Sequence, residues 1–212
     1  MNTAEKIKRR LRILFRKNIR YADSVVSREE NSKFKRTQVL DYGRNNSITI
    51  ESNCILNRCV FRFYGNGNRV SIGKGCILSN MTIWIEDDGN EVCIGSGTTI
   101  YGNTEIACIE GTNVMVGDDC MFSSNIRIRS GDSHSIVDSE GKRINPSKDI
   151  KIGKHVWVGQ DVFIGKGTVV SDNSILGACS VVTRQFLSPN VAVAGNPAII
   201  IKNNVNWKRE RV

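Results

Sequence analysis

Apolar residues recur along this chain at two fixed steps. In an early block Ile50, Ile72, Ile94 and Val116 stand 22 residues apart, each closing a short alternation: S-I-T-I, R-V-S-I, E-V-C-I and N-V-M-V. Asn46, Asn68 and Asn90 keep the same step. In a later block the step tightens to six, through Ile152, Val158, Ile164, Val170, Leu176 and Val182, with Gly153, Gly159, Gly165 and Gly177 directly after four of them. Smaller side chains, Val156, Val162, Thr168, Ser174 and Ser180, follow four residues after the first five. A helix cannot hold this pattern on one face, because a step of six drifts around a turn of 3.6 residues. Short strands that point every second residue inward can hold it.

Six residues make one short strand and a bend, so three such units close a triangular coil of about 18 residues, with a large and a small side chain inward on each side. Coils then stack through parallel backbone ladders about 4.8 Å apart. The longer step is one coil plus a short excursion, and the polar runs Y-G-N-G-N, E-D-D-G-N and E-G-T-N, which begin at Tyr64, Glu86 and Glu110, fall where that excursion belongs. Both blocks therefore read as one all-β solenoid, a parallel β-helix over residues 44–185, with a loop insertion at 132–149 where the pattern breaks. Cys54, Cys76 and Cys120 take the inward small-residue position, with Thr98 in the coil between, and are expected to be stacked core residues rather than nucleophiles.

Composition changes this picture at the ends. A chain of 212 residues suits one domain with appendages. No apolar run is long enough to cross a bilayer, and basic residues interrupt Leu11, Ile13, Leu14 and Phe15, so neither a membrane span nor a signal peptide is expected and a cytoplasmic location is. Seven cysteines without a C-x-x-C pair, and two histidines, argue against a zinc site and for a reducing compartment. The net charge of +9 is concentrated: residues 1–20 carry eight basic groups and one acid, which leaves +2 for the rest. Residues 1–40 are expected to form a basic, helical N-terminal segment with Ala4, Ile7, Leu11 and Leu14 or Phe15 on one face. One reading is a helix that caps the open end of the solenoid. Another is attraction to an anionic membrane surface or an acidic polysaccharide. Nucleic acid is not an expected partner.

The runs I-K-I-G-K-H-V-W-V-G-Q-D-V-F-I-G-K-G-T-V-V from Ile150, S-I-L-G-A-C-S-V-V-T-R from Ser174 and A-G-N-P-A from Ala194 resemble the hexapeptide-repeat acyltransferases, and among them the sugar and polysaccharide O-acetyltransferases. S-G-D-S-H-S-I, beginning at Ser130, resembles the catalytic-histidine loop of that family. The resemblance covers about residues 65–202. It implies a left-handed β-helix, a homotrimer with active sites in the grooves between subunits, acetyl-CoA as donor and no metal.

The residues themselves fit that chemistry. His134 sits where the repeat breaks, on a projecting loop, and loops on rigid scaffolds often carry function. An imidazole can take a hydroxyl proton near neutral pH while the acceptor attacks the thioester, so His134 is the expected general base. The alternative is a solvated loop histidine. Asp132 and Asp138 are near it in sequence as orienting partners, and a backbone carbonyl would serve as well. His155, at an outward position, is expected to be a surface residue. An outward indole at Trp157 on a flat face calls for a cover; the resemblance implies that it lines the acceptor and acetyl pocket, and trimer packing is the alternative. Gly159, Gln160, Ala178 and Thr183 match positions that lie against the pantetheine arm in similar enzymes, with the C-terminal extension, residues 186–212, completing the donor site. Cys179 stands where such enzymes usually have glycine, which puts that backbone contact in question. Arg184 and Lys202 are candidates for the phosphates of CoA, and Asn103 and Asn125 for acceptor contacts.

The expected activity is acetyl-CoA-dependent O-acetylation of a sugar hydroxyl, of a bacterial surface polysaccharide or its precursor, by direct transfer. Backbone N–H groups would stabilise the tetrahedral intermediate, so no nucleophile is needed. N-acylation of an amino sugar would use nearly the same residues. A carbonic anhydrase on the same helix needs three histidine ligands, and this chain has two histidines. A non-catalytic β-helix scaffold would not need a histidine loop followed by V-W-V-G and G-A-C-S-V-V.

Overall fold

Backbone N–H groups of one coil donate to carbonyls of the next along the length of the molecule, as in Glu51 to Ile72, Gly73 to Ile94, Gly95 to Val116 and Gly117 to Ile152. The computed structural model describes residues 19–20 and 25–211, and every regular element among them is a strand. One face of the solenoid is an eight-stranded sheet running from Val25–Arg28 through Ser47–Ile50, Arg69–Ile72, Glu91–Ile94, Asn113–Val116, Ile150–Ile152 and Val169–Val170 to Gln185–Phe186. All its neighbours are parallel. The other two faces merge into a 15-stranded sheet, because Ile77–Ile85 and Thr99–Cys108 run through the corner between them unbroken. The structure is thus the parallel β-solenoid that the repeats predict.

The inward columns are those read from the sequence. Ile48, Ile50, Val70, Ile72, Val92, Ile94, Val114 and Val116 are buried on the first face. Cys54, Cys76, Thr98, Cys120 and Val156 stack in another fully buried column. Burial pushes the Cys76 thiol up to about 12 and the Cys120 thiol up to about 11, so neither supplies a thiolate near neutral pH. Their sulfurs donate instead to the carbonyls of Gly95 and Gly153, at 3.1 and 3.2 Å.

The recurring asparagines have a separate task. Asn46 Oδ1 accepts from the Asn68 N–H at 2.9 Å, Asn68 Oδ1 from the Asn90 N–H at 2.8 Å, and Asn90 Oδ1 from the Thr112 N–H at 3.1 Å. Their Nδ2 groups donate to the Gly65 and Asp87 carbonyls of the excursions. This ladder pairs backbone groups at a buried corner where the strand hydrogen bonds have ended.

Two boundaries differ from expectation. Val25–Arg28, Lys33–Lys35 and Gln38–Asp41 pair with Ser47–Ile50, Ile55–Asn57 and Val60–Phe63, so the solenoid begins well before residue 44. Residues 25–41 are therefore strand and turn, not part of a helical appendage; the amphipathic stretch from Ala4 to Phe15 lies outside the described residues. The first coil is silent to a hydrophobic pattern because hydroxyls fill its inward corners: Ser32 lies under Cys54 and Thr37 donates to the Leu56 carbonyl. At the other end Val191–Gly195 extends the ladder from Ile175–Leu176, and Ala198–Asn203 then returns antiparallel to it. A reversed strand ends the parallel stack and covers its edge.

Removing one rung of the asparagine ladder tests its contribution. Asn68→Ala leaves the Asn90 N–H without its partner at a buried corner and the Asp87 carbonyl with only the longer bond from Asn90 Nδ2, at 3.3 Å. A loss of about 1–3 kcal/mol in chemical denaturation is expected. An unchanged midpoint would mean that water replaces the amide there.

Candidate active site

The 132–149 insertion leaves the solenoid at the corner between Arg127–Arg129 and Ile150–Ile152. It doubles back on itself: Val137 bridges Arg143, and the Asp138 N–H donates to the Lys142 carbonyl. Its root is a network around Asn145, which is buried in a loop otherwise largely exposed. Asn145 Nδ2 donates at 2.8 Å to both Asp132 Oδ2 and the His134 carbonyl, while its Oδ1 accepts the Ile136 N–H at 2.7 Å. Lys166 Nζ donates to the same Asp132 oxygen from the next coil. Arg143 closes the loop onto the solenoid through Glu110, at 2.6 Å. Ser133, just before His134, has φ of +63°, a left-handed conformation that persists because these contacts fix both of its neighbours.

His134 itself is exposed at the end of this scaffold. Neither acid near it in sequence orients its ring within the chain: Asp132 holds Lys166 and Asn145, and Asp138 accepts the Glu140 and Lys142 N–H groups of the hairpin turn. What the network fixes is the backbone on either side of His134.

The other expected site residues gather elsewhere. Trp157 lies on the Trp157–Val158 strand, between Met121 below and Ile175 above, and is 37% exposed. The corner that follows carries Gln160 and, one coil later, Ala178 and Cys179, whose N–H donates to the Gln160 carbonyl. Asn125 and Asn103 occupy the same corner one and two coils earlier, joined at 3.0 Å through Asn103 Nδ2 and Asn125 Oδ1. Gly159 is buried here; a Cβ on it would come within 2.7 Å of the Ala178 nitrogen, so coil packing alone requires the glycine. Cys179 is exposed with φ of +58°, the conformation a glycine at that position adopts freely. Thr183 and Arg184 are not in this group. They lie at the corner shared by Lys166 and the histidine loop, with Thr183 packed on Gly165, and Lys202 is on the returning C-terminal strand. Within one chain, then, His134 and the Trp157, Gln160 and Ala178 group stand at opposite ends of the face formed by Arg127–Arg129, Phe163–Ile164 and Val181–Val182. Among the described residues no cluster of His, Cys, Asp and Glu is arranged to hold a metal.

Comparison with known proteins places this arrangement. No family model matches the chain. A polysialic acid O-acetyltransferase of Escherichia coli O1:K1 / APEC is 37% identical over 95 residues, which is 44% of this chain and 31% of that protein, so the match spans under a third of the relative's length. Two solved structures match nearly end to end. The polySia-specific acetyltransferase NeuO is 35% identical with a TM-score of 0.80, over 91% of this chain and 83% of that one. The polysialic acid O-acetyltransferase OatWY is 32% identical with a TM-score of 0.79, over 92% of each chain. The chain belongs to the polysialic acid O-acetyltransferase family. The resemblance to hexapeptide-repeat sugar O-acetyltransferases read from the repeats is borne out.

This member of the polysialic acid O-acetyltransferases carries one feature near Trp157 that the sequence did not reveal. The C-terminal tail returns along the solenoid and stacks Trp207 on His155, with ring centroids 4.2 Å apart and planes at 9°. Trp207 Nε1 donates to the His155 carbonyl at 2.8 Å, and His155 Nδ1 lies 2.6 Å from Asp119 Oδ2. Arg209 donates to Asp119 Oδ1 and to Thr99 Oγ1. Burial opposes the charge of Asp119, but the bonds from His155 and Arg209 outweigh it and hold the carboxyl below its usual range. His155 is thus mostly covered, its side chain 25% exposed, rather than a free surface residue, and Trp207 stands 6.4 Å from Trp157 as part of its wall. A lone tryptophan among charged residues near the C-terminus was the available signal.

The loop network sets a pH limit. Arg143, then Ser147, hold the Glu110 carboxyl down from 4.5 to about 2, and Lys166, then Asn145, lower that of Asp132. A depressed carboxyl pKa means that the folded state prefers the ionised form; the stabilisation is complete above the ordinary value and lost as pH falls through the depressed one. Hydrogen exchange in residues 132–149, corrected for intrinsic rates, should stay slow from neutral pH down to about 4.5 and speed up toward about 2. Glu110→Gln should exchange faster already at neutral pH. A loop equally protected at both ends of that range would show that these pairs do not anchor it.

Proposed function

We propose that this protein transfers an acetyl group from acetyl-CoA to a hydroxyl of a sialic acid residue in polysialic acid, with His134 as the general base. The observation that carries the reading is an exposed histidine on a tightly rooted loop, in a chain that matches two polysialic acid-directed acetyltransferases over nine-tenths of its length. In this mechanism His134 takes the hydroxyl proton as the oxygen attacks the thioester carbonyl. The tetrahedral intermediate then collapses with loss of the CoA thiolate, which leaves as the thiol once that proton is passed to it. Trp157, Gln160 and Ala178 form the donor side, with the pantetheine arm along their corner; Lys202 meets the CoA phosphates from the returning strand, and Arg184, at the histidine-loop corner, meets them from the neighbouring chain. Gly159 serves by letting consecutive coils approach. Asn103 and Asn125 lie on the same corner, toward the acceptor.

Seven unpaired thiols and a CoA thioester donor both favour a cytoplasmic location. The basic residues of the N-terminal stretch suit an acidic polymer, or a membrane surface beneath it. The separation of His134 from the Trp157 corner within one chain supports a homotrimer in which the base of one chain faces the donor groove of its neighbour.

Two experiments test this reading. His134→Ala should lower acetylation of polysialic acid by about 10²-fold or more while acetyl-CoA still binds by calorimetry, since a general base contributes about 10² to 10⁴ in rate. Wild-type turnover in that variant would exclude the mechanism. For the shared site, His134→Ala and a groove-blocking Ala178→Trp, each inactive alone, should recover part of the activity when unfolded together and refolded as mixed trimers. Mixed trimers verified by mass that stay inactive would mean that each chain completes its own site.

A further inference from the structure

A column of outward positions runs up the face beside the histidine loop. Strand register puts Arg62, Trp84, Ala107 and Arg129 above one another in four successive coils. Below Ala107 the surface is filled from this column and from the neighbouring one that carries Tyr42 and Tyr64. Tyr42 stacks on Tyr64 at 5.1 Å, Tyr64 lies 5.0 Å from Trp84, and the Arg62 guanidinium sits 5.2 Å from the Trp84 ring centroid. Glu86 accepts the Trp84 Nε1–H at 2.7 Å, which fixes the indole in its plane. The next side chain up is only a methyl group, that of Ala107. The space that a larger residue would fill is a cavity of about 160 Å³, with Trp84 at its base, Ala107 and Ile109 at its back and Arg129 and Ser133 on its far side.

Its charges are arranged as well. Glu105 is held between Arg127 at 2.9 Å and Arg129 at 2.8 Å, and Glu86, whose carboxylate accepts the Trp84 Nε1–H, is the second acid of the lining. An arginine has five N–H donors in a planar fork, and Arg129 uses one of them on Glu105 in this arrangement. Ser133, the loop residue that precedes His134, lines the slot.

We propose that this slot is an acceptor subsite that holds one carboxylate-bearing sugar residue of the polymer, next to the residue presented to His134. The inference rests on the acceptor reading above. The indole offers a flat apolar surface to the C–H face of a pyranose ring. Arg129 provides the fork that matches a carboxylate. The absent side chain at Ala107 opens room for a single ring between Trp84 below and Arg129 above.

The test compares acceptors of different length. Steady-state kinetics are measured with sialic acid monomer, short oligomers and polysialic acid, for the wild type, Ala107→Leu, which fills the slot, Trp84→Ala, which removes its floor, and Trp84→Phe, which keeps an aromatic face. Ala107→Leu and Trp84→Ala should raise KM for the polymer about tenfold, the size of one aromatic contact, and flatten the dependence of KM on acceptor length. KM for acetyl-CoA should stay at the wild-type value, and Trp84→Phe should stay close to wild type for the polymer. Thermal unfolding and native mass verify each variant; if Trp84→Ala does not fold, Ala107→Leu decides. A wild type that acetylates polysialic acid, with unchanged polymer KM in folded Ala107→Leu, overturns the subsite and leaves the acceptor reading intact. So does a change in trimer mass without a change in polymer KM, which would make the slot a contact between chains. A wild type that acetylates no sialic acid polymer overturns both.

Discussion

The constraint on which the structure depends is that each coil's backbone groups must be paired by the coil above and the coil below. Parallel ladders that connect every coil to the next fix a common rise and a common register from Val25 to Phe186. Once the register is fixed, each position in a coil sits on its counterpart, and chemical character has to repeat in columns. Buried aliphatic columns, a cysteine and threonine column and an asparagine ladder are the result. The corners obey the same rule. Asn31, Asn53, Gly75, Gly97, Asp119 and His155 follow one another at one corner, all with positive φ, a conformation best tolerated by glycine and by short polar side chains. A chain bound this way can depart from the pattern only at corners, which is where the histidine loop, the polar excursions and the Gln160 and Ala178 group are found.

The same rule decides how much could be read from the sequence. Columns that are apolar repeat at 22 or six residues and were visible, as was the interruption that contains His134. The first coil was not, since Ser32 and Thr37 hold its place in the stack through hydroxyl hydrogen bonds, and a count of apolar residues has no term for these. The tail was hidden for another reason. Trp207 and Arg209 reach residues such as Thr99, Asp119 and His155 across the outside of the solenoid, where no period links positions 52 to 110 residues apart. Site residues divide likewise. Trp157 was legible as an outward position in a regular coil and Ala178 through the family resemblance, whereas the network that roots His134 depends on Lys166, Asn145 and Arg143, brought together by a hairpin inside the insertion.

Rigidity then bears on how the chemistry is assembled. The histidine loop and the Trp157 corner are separated by one face of the prism, on the order of 15 Å of strand at its rise per residue, and ladder hydrogen bonds at every coil prevent the two corners from closing on each other. Side-chain rotation cannot span that width. The proposed trimer does not have to, because rotation about its axis would set a corner of one chain against a different corner of the next. In that arrangement the long loop, the returning C-terminal strand and the docked tail serve one purpose. Each extends a rigid coil sideways by a defined amount and is tied down by its own contacts: Asp132 with Lys166, Val191 with Asn203, Asp119 with Arg209. In the proposed trimer the catalytic geometry depends on how stiff these extensions are rather than on motion in the solenoid.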